Sequence, residues 1–148
     1  MSYVIGIYPS ETWASTDIPP FRPGQRGKDD DGNEYLFVRA DSGGVTQYYA
    51  AVVTSTAFVV DMIDTTNSAP GAQAGGIVCV PQVAIAASGY GWGLICGVGS
   101  VRTAASAAKG TLLNTTATAG QLDDDATAGA EVINGIALTA ATGVAAAA

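Results

Sequence analysis

The chain has 148 residues, enough for one domain that buries a core without disulfides or metals. Its composition is 48% hydrophobic and only 13% charged, against roughly 25% charged in ordinary soluble domains. The net charge of −7 disfavours nucleic acid and anionic membranes as partners, and the absence of histidine excludes Ser–His and Cys–His catalysis.

The first 33 residues differ in composition from the rest, and we interpret residues 1–33 as an extended N-terminal arm. Four of the six prolines occur here, and Pro19, Pro20 and Pro23 favour an extended backbone. Bulky apolar residues accompany the prolines, which a disordered linker would avoid. The arm therefore lies on a surface, and the sequence leaves open whether that surface belongs to its own domain or to a neighbour.

The beginning of the chain lacks a basic region followed by a long apolar stretch, so we expect no secretion leader. No uninterrupted apolar run is long enough to cross a membrane. Cys79 and Cys96 both lie in apolar runs, which favours two buried free thiols over a disulfide.

The turn sequence Asp29-Asp30-Asp31-Gly32-Asn33-Glu34 separates the arm from the remainder. It packs oxygen ligands densely enough to suggest calcium, but Gly32 and the missing acidic residue at position 40 depart from an EF-hand loop. A hairpin turn explains the same residues, and so we assign no metal. The acidic run at 123–125 is interpreted as a solvated loop.

Residues 34–142 predict a β-rich domain of short strands with glycine-rich turns, an antiparallel sandwich or barrel. Candidate strands are 35–40, 45–55, 57–63, 76–80, 82–86, 90–101, 111–116, 121–122 and 132–139. Pro81 indicates a strand end, bulge or edge. Residues 102–109 are alanine-rich, so one or two helical turns are an alternative there, but Gly110 stops them and the surrounding strand pattern competes. The tail at 143–148 is expected to be poorly ordered or swapped onto a neighbour.

Glycines alternate with aromatic residues at 89–93, which predicts a strand with aromatics on one face and a close backbone approach on the other. Ordinary core packing and contact with another subunit both explain Tyr90 and Trp92. As candidate interface residues we name Trp13, Pro19, Pro20, Phe21, Arg22, Tyr90 and Trp92. We identify no catalytic residue and no cofactor-binding residue. A chain so poor in charge is expected to work by contacting other subunits rather than by catalysis.

Several segments of residues 34–142 resemble the capsid decoration, or cement, proteins of tailed phages. The segments are Tyr35–Ala40, Thr65–Gly71, Tyr90–Trp92, Val101–Ala108, Leu113–Asp125 and Ile133–Thr139. The resemblance implies a β-rich protein that is made in the host cytoplasm, binds the outer capsid surface and commonly forms trimers. Its partners would be the major capsid protein and copies of itself. Alternatives are another virion subunit (tail-tube, head-fibre or minor capsid protein) or a surface module that binds a glycan or small ligand.

Overall fold

The computed structural model describes residues 3–72 and 76–142, and within them the protein is all-β. The all-β prediction is confirmed. The strands are β1 (Tyr3–Ile5), β2 (Arg26–Lys28), β3 (Glu34–Ala40), β4 (Ala51–Val53), β5 (Val59–Met62), β6 (Val78–Pro81), β7 (Tyr90–Cys96), β8 (Leu112–Thr115), β9 (Leu122–Asp123) and β10 (Val132–Ala137).

Five of these strands form a closed ring, because β3 pairs with β5 at one end and with β7 along its length. The order around the ring is β3-β5-β4-β6-β7, and β2 and β1 extend the same sheet outward from β3. Closure pairs the backbone groups that a sheet edge would leave open. The β1–β2 and β3–β5 pairings are parallel, so the sheet is mixed, whereas the other described strand pairings are antiparallel.

A second sheet, in the order β10-β8-β9, covers one side of the ring. Val52 of β4 and Val80 of β6 are buried in one cluster with Leu113, Leu122 and Ile133 of the small sheet. The two sheets therefore bury a shared apolar layer.

The side chains of strand β3 alternate between two hydrophobic clusters, one inside the ring and one on the side of the ring opposite the small sheet. Leu36 and Val38 point into the ring, where they pack with Val60 of β5. Tyr35 and Phe37 point outward and pack beneath the N-terminal segment. A strand buried on both faces explains why 35–38 is a continuous apolar run.

Strand β7 has the two faces that its alternating glycines predicted. A Cβ atom on Gly93 would lie 2.5 Å from the Cys79 sulfur, and one on Gly91 would lie 2.9 Å from the side chain of Ile85. Larger residues at 91 and 93 would clash with the ring interior, while Trp92 packs on the outer face. The predicted close backbone approach is confirmed.

Of the two alternatives for 102–109, helical turns or pairing in a β context, the structure shows the pairing. Thr103 forms a parallel bridge to Leu122, and the Ala104 amide donates to the Leu122 carbonyl over 2.7 Å. Pairing with β9 therefore outweighs the helix propensity of the alanines. The expectation for Cys96 is wrong, because Cys79 is buried but Cys96 is exposed where β7 ends before Gly97.

The N-terminal segment lies on its own domain rather than reaching away from it. Strand β1 pairs with β2, which pairs with β3, and the amide of Trp13 donates to the carbonyl of Tyr90 over 3.0 Å. The swapped or poorly ordered tail predicted at 143–148 lies outside the described residues.

Candidate interface

An aromatic cluster fastens the N-terminal segment to the ring. Phe21 and Phe37 each meet the Trp92 ring edge-on at 4.9 Å, and Trp13 meets Phe37 at 5.4 Å. Tyr90 stacks on Phe37 at 6.3 Å with nearly parallel rings. Edge-to-face pairs contribute about 0.5–1.5 kcal/mol each beyond the area that they bury. The segment is therefore held in one conformation by its own domain.

A tight turn at residues 22–25 redirects the N-terminal segment into β2. Residues 22–25 form a turn in which the Gln25 amide donates to the Arg22 carbonyl over 3.0 Å, with Pro23 and Gly24 at the centre. Gly24 has φ +90°, a conformation that suits glycine at the third position of a type II turn. A side chain there would also overlap the Phe58 ring. The turn brings the chain into β2 immediately after Phe21 has reached the cluster.

The structure divides the seven predicted interface residues into two groups. Four aromatic residues form the cluster just described: Trp92 is fully buried, while Trp13, Phe21 and Tyr90 are half-buried. The sequence left core packing and subunit contact as two explanations for the aromatic residues Tyr90 and Trp92. Within the chain, both residues take part in core packing. Pro20 and Arg22 are exposed and Pro19 is half-buried, so their interface role stays a prediction.

Three large apolar side chains on the same segment point to solvent. Ile18 is 96% exposed, Ile5 is 83% exposed and Tyr8 is 66% exposed. We call Ile5, Tyr8, Ile18 and Pro20 the arm surface. The sequence showed bulky residues here but not which ones face outward, since that depends on the contacts that bury Trp13 and Phe21.

The acidic turn at 29–33 is tied together by its own hydrogen bonds. The Asp29 carboxylate accepts the backbone amides of Asp31 and Asn33 at 3.0 and 2.9 Å, and the Asn33 side-chain amide at 2.9 Å. Desolvation alone would raise the pKa of Asp29, but these hydrogen bonds lower it below its ordinary value. Burial, together with the same carboxylate, raises the pKa of Tyr35 to about 12.

These contacts give the turn a structural role. Asp29 is occupied by amide donors, and Asp30 and Asp31 are exposed. Across the described residues, no group of three or more His, Cys, Asp or Glu side chains is arranged to hold a metal ion.

The second acidic run is less solvated than expected. Asp124 accepts the Ala108 amide over 3.0 Å, and one carboxylate oxygen of the half-buried Asp123 is enclosed with no hydrogen-bond partner. Of the three, Asp125 is exposed and the other two are half-buried. The hydrogen bond of Asp124 therefore ties the loop that follows β9 to the segment that precedes β8.

On the opposite side of the ring, a groove of about 940 Å³ opens between β6, the end of β7 and β10. Its apolar lining residues are Val78, Val80, Leu94, Ile133, Ile136 and Leu138, and polar groups contribute a comparable part of the wall. Ser68 and Thr115 add hydroxyls that hydrogen-bond to each other over 3.1 Å. The volume lies near the upper end of the range usual for ligand pockets, and Glu131 also contributes to the lining.

Comparison with protein-family models, curated proteins and solved structures finds no match. Within 3–72 and 76–142, no helix has the length and apolar character needed to cross a membrane.

Proposed function

We propose that the protein is a decoration protein of a tailed-phage virion, which binds the outer surface of the capsid and stabilises it by bridging capsomers. The assignment to a virion rests on the resemblance of segments within 34–142 to capsid decoration proteins of tailed phages. The observation that supports binding is the arm surface, where Ile18 and Ile5 stand almost fully in solvent.

Exposed isoleucines at these positions favour a partner. Burying an isoleucine side chain that is otherwise in water contributes about 1.5–3 kcal/mol, and the isolated chain gains little of it at Ile5 and Ile18. A single exposed apolar residue needs no explanation, but three large ones on one short segment indicate a contact area.

The arm surface is also organised in advance. Its backbone is held by β1 and by the Trp13–Tyr90 bridge, and its inner side is held by the aromatic cluster. A contact surface that is already ordered loses little conformational entropy on binding. A protein that binds only the assembled shell stabilises that shell by its binding free energy.

Point substitutions test the arm surface more sharply than removal of the whole segment, because removal would also expose Phe37 and Trp92. Ile18→Asp changes a side chain that contacts solvent, so the free energy of unfolding should move by no more than about 0.5 kcal/mol. Occupancy on purified capsids of the phage that carries the gene should fall at least about tenfold, as expected from losing one buried isoleucine and burying a carboxylate.

Leu112→Asp is the matched control, since Leu112 is an exposed apolar residue of the small sheet outside the arm. It should bind capsids as the native chain does. Equal capsid occupancy of native protein and Ile18→Asp would contradict the role of the arm surface. Failure of the native protein to bind capsids, with rings or filaments in electron micrographs, would instead indicate another virion subunit.

A further inference from the structure

Strand β10 contains an Asn-Gly sequence at the point where its pairing with β8 is interrupted. Ile133 and Ala137 pair with adjacent residues of β8, so the residues between them form a bulge. Asn134 and Gly135 are both exposed, whereas Ile133 and Ile136 on either side pack toward the core. Gly135 has φ +91°, a conformation outside the strand region that glycine adopts without strain. The bulge therefore presents Asn134 and Gly135 to solvent.

We propose that Asn134 is a site of spontaneous deamidation. The Gly135 backbone nitrogen, after giving up its proton to water, attacks the side-chain carbonyl carbon of Asn134 and forms a C–N bond. The bond to the side-chain nitrogen breaks, and that nitrogen takes up a proton and leaves as ammonia, so that a cyclic imide remains. Water then opens the imide at either of its carbonyls and gives aspartate or isoaspartate. One water is consumed, one ammonia is released, and nothing is oxidised or reduced.

Freedom of the side chain distinguishes Asn134 from the other asparagines of the chain. Asn33 and Asn67 each donate a side-chain hydrogen bond of 2.9 Å to another residue, and Asn114 is buried. Within the described residues, no hydrogen bond holds the side chain of Asn134. It can therefore rotate toward the backbone nitrogen that follows without first breaking a contact.

Gly135 supplies the second requirement, which is a nitrogen that can be approached freely. A Cβ atom at this position would meet no heavy atom within 4 Å, and glycine itself adds no side chain that would crowd the ring closure. The chain is fixed on both sides of the bulge, because the Glu131 amide donates to the Thr115 hydroxyl over 3.0 Å and the Gly110 amide donates to the Leu138 carbonyl over 3.1 Å. The bulge can reach the geometry of attack while the rest of the small sheet stays folded.

The reaction would change the charge of the groove. Asn134 and Gly135 both line it, and Glu131 is the charged residue among the described residues of its wall. Deamidation adds a second carboxylate there and makes the formal net charge of −7 more negative by one unit. Isoaspartate also lengthens the main chain of β10 by a methylene group. The inference concerns the isolated chain and does not depend on the proposed function.

Incubation of the full chain in mildly alkaline buffer tests the proposal. Cleavage after Glu131 isolates residues 132–148, where Asn134 is the only side-chain amide, and a mass increase of about 1 Da in this peptide reports the reaction. Because no contact must open first, Asn134 should react in the native chain within about threefold of its rate in the chain unfolded by guanidinium chloride. Folding should slow Asn33 and Asn67 at least about tenfold, since their contacts must open before they react. Comparing each site with itself removes the effect of the residue that follows it.

The imide predicts two products of equal mass, aspartate and isoaspartate, which chromatography separates. Asn134→Gln is the matched control, because it keeps an exposed neutral amide. It should show no mass increase over the same period, since its longer side chain must close a larger and less favourable ring. Slowing of Asn134 by folding beyond about threefold would overturn the proposal, as would a single product or the absence of reaction in both states.

Discussion

The two sides of the ring are covered in different ways. On one side, the N-terminal segment brings large rings into edge-on contact with β3 and β7, and Phe37 and Trp92 become inaccessible. On the other side, the small sheet brings valine, leucine and isoleucine, and its outer strand leaves a groove open beside Leu138. Large rigid side chains exclude water from their layer, whereas branched aliphatic side chains on a strand that bulges cover it incompletely.

The largest effect is expected at the aromatic side. Trp92→Ala should lower the free energy of unfolding by about 3–5 kcal/mol, because a fully buried indole is replaced by a cavity among rigid rings. Urea denaturation measures the loss. Trp92→Phe is the control and should cost less, since it keeps a ring and removes an indole N–H that lacks a hydrogen-bond partner. A loss below about 1 kcal/mol for the alanine variant would mean that the cluster does not anchor the arm.

A smaller effect is expected beside the groove. Leu138→Ala should cost about 2–3 kcal/mol, at the low end for a buried leucine, because neighbouring side chains can relax into the open space. The same denaturation experiment gives the value. Leu113→Ala, at a fully buried leucine of the same cluster, should cost more. Equal losses at the two leucines would show that the groove wall is as tightly packed as the centre of the layer.

The smallest expected effect is a decrease in the free energy of unfolding at alkaline pH. Burial and the nearby Asp29 raise the pKa of Tyr35 to about 12, so the native state holds the phenolic proton more tightly than the unfolded chain does. The resulting stability is complete below the unfolded pKa of about 10 and is lost as the pH rises from about 10 to 12.

Denaturation of Tyr35→Phe across this range should show a shallower loss than that of the native protein. Cys79, whose pKa burial raises to about 12, adds a similar slope from about pH 9 in both proteins. Identical pH profiles of native protein and Tyr35→Phe would contradict the assignment.

The sequence predicted the fold class and the principal strands because these depend on local pattern. The apolar run at 35–40, the strand end at Pro81 and the glycine alternation at 91–93 all have a direct physical cause in the structure. Ring closure was not predictable, since it requires β3 to pair with strands that follow it by about 20 and 55 residues. The conformation at 102–109 stayed open for the same reason, because a strand distant in sequence supplies hydrogen bonds there.

The sequence indicated which segment carries bulky apolar groups, but not which of them face solvent. It favoured aromatic residues whose rings pack within the chain, and their role in an interface stays a prediction. Trp13 and Phe21 are half-buried because they pack against Phe37 and Trp92, which are distant in sequence. Ile18 is exposed because the neighbouring aromatic residues, and not Ile18, pack against the ring of strands. Nothing in the sequence around residue 18 indicates this exposure.

The double pairing of β3 has a consequence for synthesis on the ribosome. Its longest ladder joins residues 34–39 to residues 90–96, so the ring stays open until β7 has left the exit tunnel. Until then Leu36 and Val38 lack their native cover, and the nascent chain exposes them together with an unpaired strand. Slow formation of this long-range ladder is expected to limit the folding rate, and a chaperone that shields residues 35–40 would protect the chain for that interval.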